Sequence, residues 1–174
     1  CDKIQIVYGD LKSKNTTPAT FDFVRYRITY QCAEDSRIDP KGNGSQTYFD
    51  TEKLKVLQKK KEIWNKGNPG SFVVDTTAYP ETYPAETVVK YVQDLIFSPI
   101  DQAGRKIDPP PSSTNNNDKV NSIKIVDVLL SVRSKNEFFR NKKPRIKQSL
   151  GDTGRNIGAN SNDRFKRETI LISA

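Results

Sequence analysis

Apolar and polar residues alternate with period two along much of the chain, the spacing of a strand that buries one face. Lys3–Tyr8 sets Ile4, Ile6 and Tyr8 against Gln5 and Val7. Phe21–Tyr30 alternates more clearly, with Val24, Tyr26, Ile28 and Tyr30 opposing Arg25, Arg27 and Thr29. The polar link between them, Lys12–Thr20 with Pro18, suits a hairpin-like pair. Asp39–Ser45 (DPKGNGS) is a turn cluster. Lys53–Trp64 is ambiguous. Leu54, Leu57 and Ile63 fit a helix, whereas Leu54, Val56, Ile63 and Trp64 fit a ladder. The reading leans to an edge strand, where lysines guard against aggregation.

Gly67–Pro84 is turn-rich around a short Phe72–Val74 strand. Thr87–Phe97 (TVVKYVQDLIF) is dense in β-formers and reads as a central strand. Asp108–Asp118 (DPPPSSTNNND) has nothing to pack and reads as an exposed loop. Ser122–Arg133 (SIKIVDVLLSVR) is the strongest strand, too apolar for a one-sided edge. Phe138–Asp163 is a long basic insertion, and Arg167–Ser173 (RETILIS) alternates again and closes the sheet. The prediction is mainly β: one domain over 1–174, with an antiparallel sheet or sheets of about six strands. Long loop insertions fall at about 108–118 and 138–163.

Composition sharpens this picture. Ile, Val and Thr number 39 against 15 for Leu, Ala and Met, which favours pleated surfaces over helices. There is no histidine, so a His-based triad, a His-rich zinc site and a histidine proton shuttle are excluded. Two cysteines alone do not make a structural zinc site. No apolar run approaches the ~18 residues of a membrane span. No signal segment opens the chain, which starts without methionine and so reads as a trimmed or processed form.

The candidate chemistry is sparse. A bridge between Cys1 and Cys32 fits if the first two strands pair, and would point to an oxidising compartment. Two free thiols, or a lipid-modified Cys1, are the alternatives. Asp22, Glu34, Asp35, Glu81, Glu86, Asp94 and Asp101 show no paired spacing and read as solvated surface. Asp152–Asp163 is rich in oxygen ligands but lacks the closing Glu of a calcium loop. Gly151–Gly158 does not match a phosphate-cradling loop. No catalytic, cofactor or metal residue is assigned, and no enzyme activity is expected.

The net charge of +8 is unevenly placed. Lys53, Lys55, Lys59, Lys60, Lys61 and Lys66 form one cluster. Arg133–Lys147 forms the other, and within it Arg140, Lys142, Lys143, Arg145 and Lys147 are the candidate polyanion contacts. A solubilising surface is the plainer reading. Phe138, Phe139 and Arg140 could stack a base or sugar, or anchor the loop on the sheet, and Trp64 reads as an anchor of that kind.

The later half resembles a known family. Val89, Val92, Asp94, Leu95 and Phe97, then Leu130, Arg133 and Ser134, then Asp163 and Arg167 are similar to the C-terminal strands of minor type IV pilins and pseudopilins. The J-type pseudopilins of type II secretion and the PilW-like minor pilins are the nearest kinds. Tyr26, Ile28 and Tyr30 also resemble that family's early paired strands. The family's leader and long apolar N-terminal helix are absent from these residues, and the insertion 138–163 departs from its pattern. The resemblance implies a non-catalytic subunit that assembles, primes or tips a type IV pilus or pseudopilus. Its implied partners are other minor pilins or pseudopilins and an inner-membrane assembly platform. Its implied place is the cell envelope, anchored in the inner membrane through the missing helix, with this domain periplasmic or extracellular. The rival expectation is a surface binding domain whose basic loops hold DNA or anionic polysaccharide.

Overall fold

The computed structural model describes residues 1–14, 20–34, 55–111, 117–135, 138, 140, 143–144, 162–163 and 166–174. The chain is mainly β. Its strands are β1 (Lys3–Lys14), β2 (Thr20–Glu34), β3 (Lys55–Trp64), β4 (Phe72–Val73), β5 (Tyr83–Asp101), β6 (Ile123–Arg133), β7 (Lys143–Pro144), β8 (Asn162–Asp163) and β9 (Arg167–Ser173). Among the described residues one short helix, α1 (Asn117–Ser122), precedes β6.

The main sheet is an antiparallel meander in the order β1-β2-β3-β5-β6-β9, with β4 pairing the end of β3. Register makes one face continuous. Tyr26 lies opposite Ile63, Cys32 opposite Leu57, Leu57 opposite Val89, and Leu95 opposite Leu130. That face holds most of the core, and Val56, packed with Ala33 and Tyr91, is buried on the other. Val24, Tyr26 and Ile63 form one cluster with Tyr8, Val73 and Tyr79, while Leu57, Val92 and Leu95 form another with Tyr30, Cys32, Phe97 and Leu130.

β5 is the longest strand, and it bends. Register shifts fall on both its ladders around Val92, and Tyr91 between them has φ 60°, the left-handed conformation that a non-glycine residue rarely adopts. Such bulges add twist. The last β3–β5 rung is Lys55–Val92, so the rest of β5 runs past the end of β3. The N-terminal dipeptide sits against that stretch. The Asp2 amide donates to the Leu95 carbonyl at 2.7 Å, the Phe97 amide donates to Asp2 Oδ2 at 3.2 Å, and the Cys1 nitrogen lies 3.0 Å from Asp94 Oδ1. The residues that precede β1 thereby reach β5, three strands away in the meander.

Three expectations change. The lysine-rich strand expected within Lys53–Trp64 is β3, Lys55–Trp64, and it is interior, flanked by β2 and β5. The segment 108–118, read as loop, contains the start of α1. Within the insertion 138–163, Lys143 pairs with Asp163 and Pro144 with Asn162 in a separate two-stranded ribbon.

Candidate functional site

Cys1 and Cys32 form a disulfide with Cα atoms 6.0 Å apart, an ordinary span for such a bridge. The strand register explains it. Lys3 pairs with Gln31, which brings Cys1, two residues before β1, to the end of β2. The free-thiol and lipid-modified alternatives for Cys1 therefore do not apply here.

The interior lysines are held by tyrosines. Ile28 lies opposite Lys61 and Tyr30 opposite Lys59, so both lysines stand on the core-bearing face. Lys61 Nζ sits 4.3 Å from the Tyr26 ring centroid and 5.8 Å from that of Tyr8. Lys59 Nζ sits between Tyr30 and Tyr83, at 5.7 and 5.8 Å. Each contact of this kind contributes roughly 0.5–1 kcal/mol at a wet site. A hydrogen bond with Tyr83 raises the Lys59 pKa, so its charge persists at every physiological pH. The long stems lie over the sheet while the ammonium groups reach water. A strand that looks too charged for an interior position is thereby accommodated.

A knitted loop caps this face. Asp75 Oδ1 accepts from the Thr77 and Ala78 amides, and buried Thr82 donates to the Tyr79 carbonyl at 2.8 Å while accepting from the Asp75 amide. The loop thus fixes Tyr79 against Val24 and Ile63, and Glu81 over Tyr26. The Tyr26 hydroxyl donates to Glu81, and Lys12 Nζ lies 2.8 Å from the same carboxylate. Burial alone would raise the Glu81 pKa, but the hydrogen bonds from Lys12 and Tyr26 overcome it and hold the group at about 2. Burial, with the bond to Glu81, pushes the Tyr26 phenol well above its ordinary value.

On the opposite face Arg27 makes two hydrogen bonds to Glu62 Oε2, at 3.0 and 2.9 Å, and Lys60 takes Oε1 at 2.8 Å. Burial works against this carboxylate too, yet the bonds from Lys60 and Arg27 leave its pKa lowered. Arg27 also lies 4.4 Å from the Phe72 ring centroid.

Beyond the last β2–β3 rung, Tyr26–Ile63, the sheet opens into a groove of about 260 Å³. Phe23, Val24, Arg25, Ile63, Trp64, Lys66 and Tyr79 line it. Arg25 lies 5.7 Å from the Trp64 ring centroid, and Trp64 meets Phe72 edge-on at 5.1 Å. Phe23 lies over Gly9 of the neighbouring strand. A Cβ on Gly9 would collide with its ring, so the glycine makes the seat for that wall.

Comparison of the chain with protein-family models, with curated proteins and with solved structures gave no match. The site therefore rests on its own chemistry.

The structure does not gather the sequence-predicted polyanion contacts into one described patch. Arg140 is exposed, and Lys143 lies in β7 opposite Asp163. Lys142, Arg145 and Lys147 lie outside the described residues, as do residues 152–161 of the oxygen-rich segment. Phe138 is 66% exposed, with Lys166 Nζ 5.8 Å from its ring centroid, which is not the posture of a loop anchor. Among the described residues no group of three or more Cys, Asp or Glu is placed to hold a metal ion. Expected surface carboxylates are engaged by the protein. Asp94 is buried, Glu81 is bound by two partners, and Asp101 accepts from the Ala103 and Arg105 amides. The sequence reading missed Glu62 and the lysine–tyrosine pairing. Only the register, which sets Tyr30 beside Lys59, would have revealed it.

The two outer strands carry exposed apolar side chains. On β1 these are Ile6, Val7 and Leu11, and on β9 they are Ile170, Leu171 and Ile172. Side chains on both faces of β9 are exposed together, which is unusual for a strand with no partner to meet.

Proposed function

We propose that this chain is a non-catalytic assembly subunit of the minor pilin or pseudopilin kind, docking on sister subunits through its sheet edges. The observation that supports it is the pair of apolar outer strands. Ile170, Leu171 and Ile172 are each about half exposed at one edge, and Leu11 is 64% exposed at the other. Natural sheets usually blunt such edges with charge, proline or a covering element unless a partner completes them. In this reading the domain works in the periplasm or outside the cell. A disulfide is in keeping with such an oxidising place.

The test is co-expression with the minor pilin or pseudopilin subunits of the same host, followed by size-exclusion chromatography with light scattering. A defined complex that is lost in Leu171→Lys or Ile6→Lys, with folding of the variant intact, supports the reading. A monomer in every combination overturns it.

A second reading, a surface domain that holds DNA or anionic polysaccharide, has an observation of its own. Lys12, Lys59 and Lys61 stand together among Tyr8, Tyr26, Tyr30 and Tyr83 on one face. Its test is a salt titration of DNA binding at ~0.05–0.2 M. Weakening by Lys59→Gln with Lys61→Gln would favour this face. Weakening by replacement of Lys142, Lys143 and Arg145 would favour the basic insertion.

A further inference from the structure

We propose that the groove at the open end of the β2–β3 ladder is a binding site for an acidic sugar residue, such as a uronic acid within a polysaccharide. The inference deepens the second reading above by assigning a ligand class and a site distinct from the Lys59–Lys61 face and from the basic insertion. Three aromatic rings line the groove: Phe23, Trp64 and Tyr79. The C–H face of a pyranose is apolar, and flat aromatic walls are the surface it stacks on, with Trp and Tyr also offering polar edges. Two cations, Arg25 and Lys66, share the lining, and among the described residues no carboxylate contributes to it. The site is therefore complementary to a negative ring rather than a neutral one.

Arg25 is the specificity element. Its guanidinium carbon lies 5.7 Å from the Trp64 ring centroid, and a guanidinium fork suits a bidentate carboxylate contact. The walls are set before any ligand arrives. Phe23 is seated on Gly9, Trp64 is braced edge-on by Phe72, and Tyr79 belongs to the loop knitted by Asp75 and Thr82. Such preformed geometry avoids the ordering cost that loose side chains impose on binding. The volume of about 260 Å³ lies just below that of sites for drug-sized ligands (roughly 300–1,000 Å³), which suits one ring of a chain whose remainder runs in solvent.

Trp64 is the protein's single tryptophan, so its emission reports on this groove alone. The experiment titrates the full chain with a mannuronate tetramer, with cellotetraose as the neutral control and an octaglutamate peptide as the acidic non-sugar. A saturable change in Trp64 emission with mannuronate, absent with cellotetraose, is expected. In Arg25→Gln the affinity should fall about tenfold, as for loss of one charged hydrogen-bonding group. Phe23→Ala should also weaken it, and Phe23 is 58% exposed, so its removal spares the core. Gly9→Val, which unseats Phe23, should do the same from a neighbouring strand. No saturable response to mannuronate, an unchanged response in Arg25→Gln, or a response to octaglutamate alone would overturn the assignment. DNA binding through Lys59 and Lys61 is read separately by gel shift. Its survival in Arg25→Gln separates failure of this site from failure of the polyanion reading as a whole.

Discussion

Replacing both Cys1 and Cys32 by serine isolates what the bridge contributes. The bond closes a loop with a sequence separation of 31, and in the chain-entropy treatment such a loop restrains the unfolded chain by about 3.7 kcal/mol at room temperature. The folded state changes less, because β1 keeps its long ladder to β2 from Lys3–Gln31 to Lys14–Thr20. With an unfolding entropy of roughly 2.1 cal/mol/K per residue, that loss corresponds to a fall in Tm of about 10 °C. In urea, with an m-value of about 2 kcal/mol/M, the midpoint should drop by nearly ~2 M. The assay is thermal and urea unfolding of the oxidised wild type and the double variant, with a thiol count to establish the redox state. Hydrogen exchange adds a local readout. The Phe97 amide donates to Asp2, and without the bridge this end should fray first and exchange faster than the amides of the β5–β6 ladder. A Tm shift under ~2 °C with Phe97 protection unchanged would refute the argument. The dipeptide would then be held by its hydrogen bonds to β5 alone.

Leu95→Ala removes a fully buried side chain from the larger core cluster and should cost about 2–5 kcal/mol in urea unfolding. Tyr26→Phe strips the donor from Glu81 while keeping the buried ring, for a loss of about 1.5–3 kcal/mol by the same measurement. The Glu81 pKa of about 2 in the folded chain lies below its ordinary value of 4.5, so its contribution is present above 4.5 and is lost as pH falls toward 2. Thermal melts from pH 6 to pH 2 should therefore show a shallower acid limb in Glu81→Gln than in wild type. Leu171→Lys, at a site 56% exposed, should leave the chemical midpoint within about 0.5 kcal/mol while reducing self-association on concentration, read by light scattering.

The alternation of Val24 to Tyr30 and of Arg167 to Ser173 made β2 and β9 legible, since each residue's side follows from its parity. The mainly β class and the antiparallel order followed from those strands together. β3 was harder. Its KKKE run reads as an exposed edge until the register shows Lys59 and Lys61 lying over tyrosines and Lys60 meeting Glu62. That information sits in the neighbouring strands, some thirty residues away. β5 outran its predicted limits because Pro84 and Pro99 looked like stops. Pro84 lies one residue inside its start, and Pro99 is buried opposite Val126. The groove was not legible at all. Phe23, Trp64 and Tyr79 are scattered in sequence, and only the early end of the β2–β3 ladder brings them to one opening.

The meander joins sequence neighbours almost everywhere, but its first two residues wait for the ninety-fifth. Cys1 can find Cys32 as soon as the β1–β2 hairpin exists, whereas Asp2 has no Leu95 carbonyl to meet until β5 has been made. During synthesis the thiols are therefore ready long before their final surroundings. An oxidase acting early would tether Cys1 and Asp2 beside β2, so that β5 arrives at a dock already built.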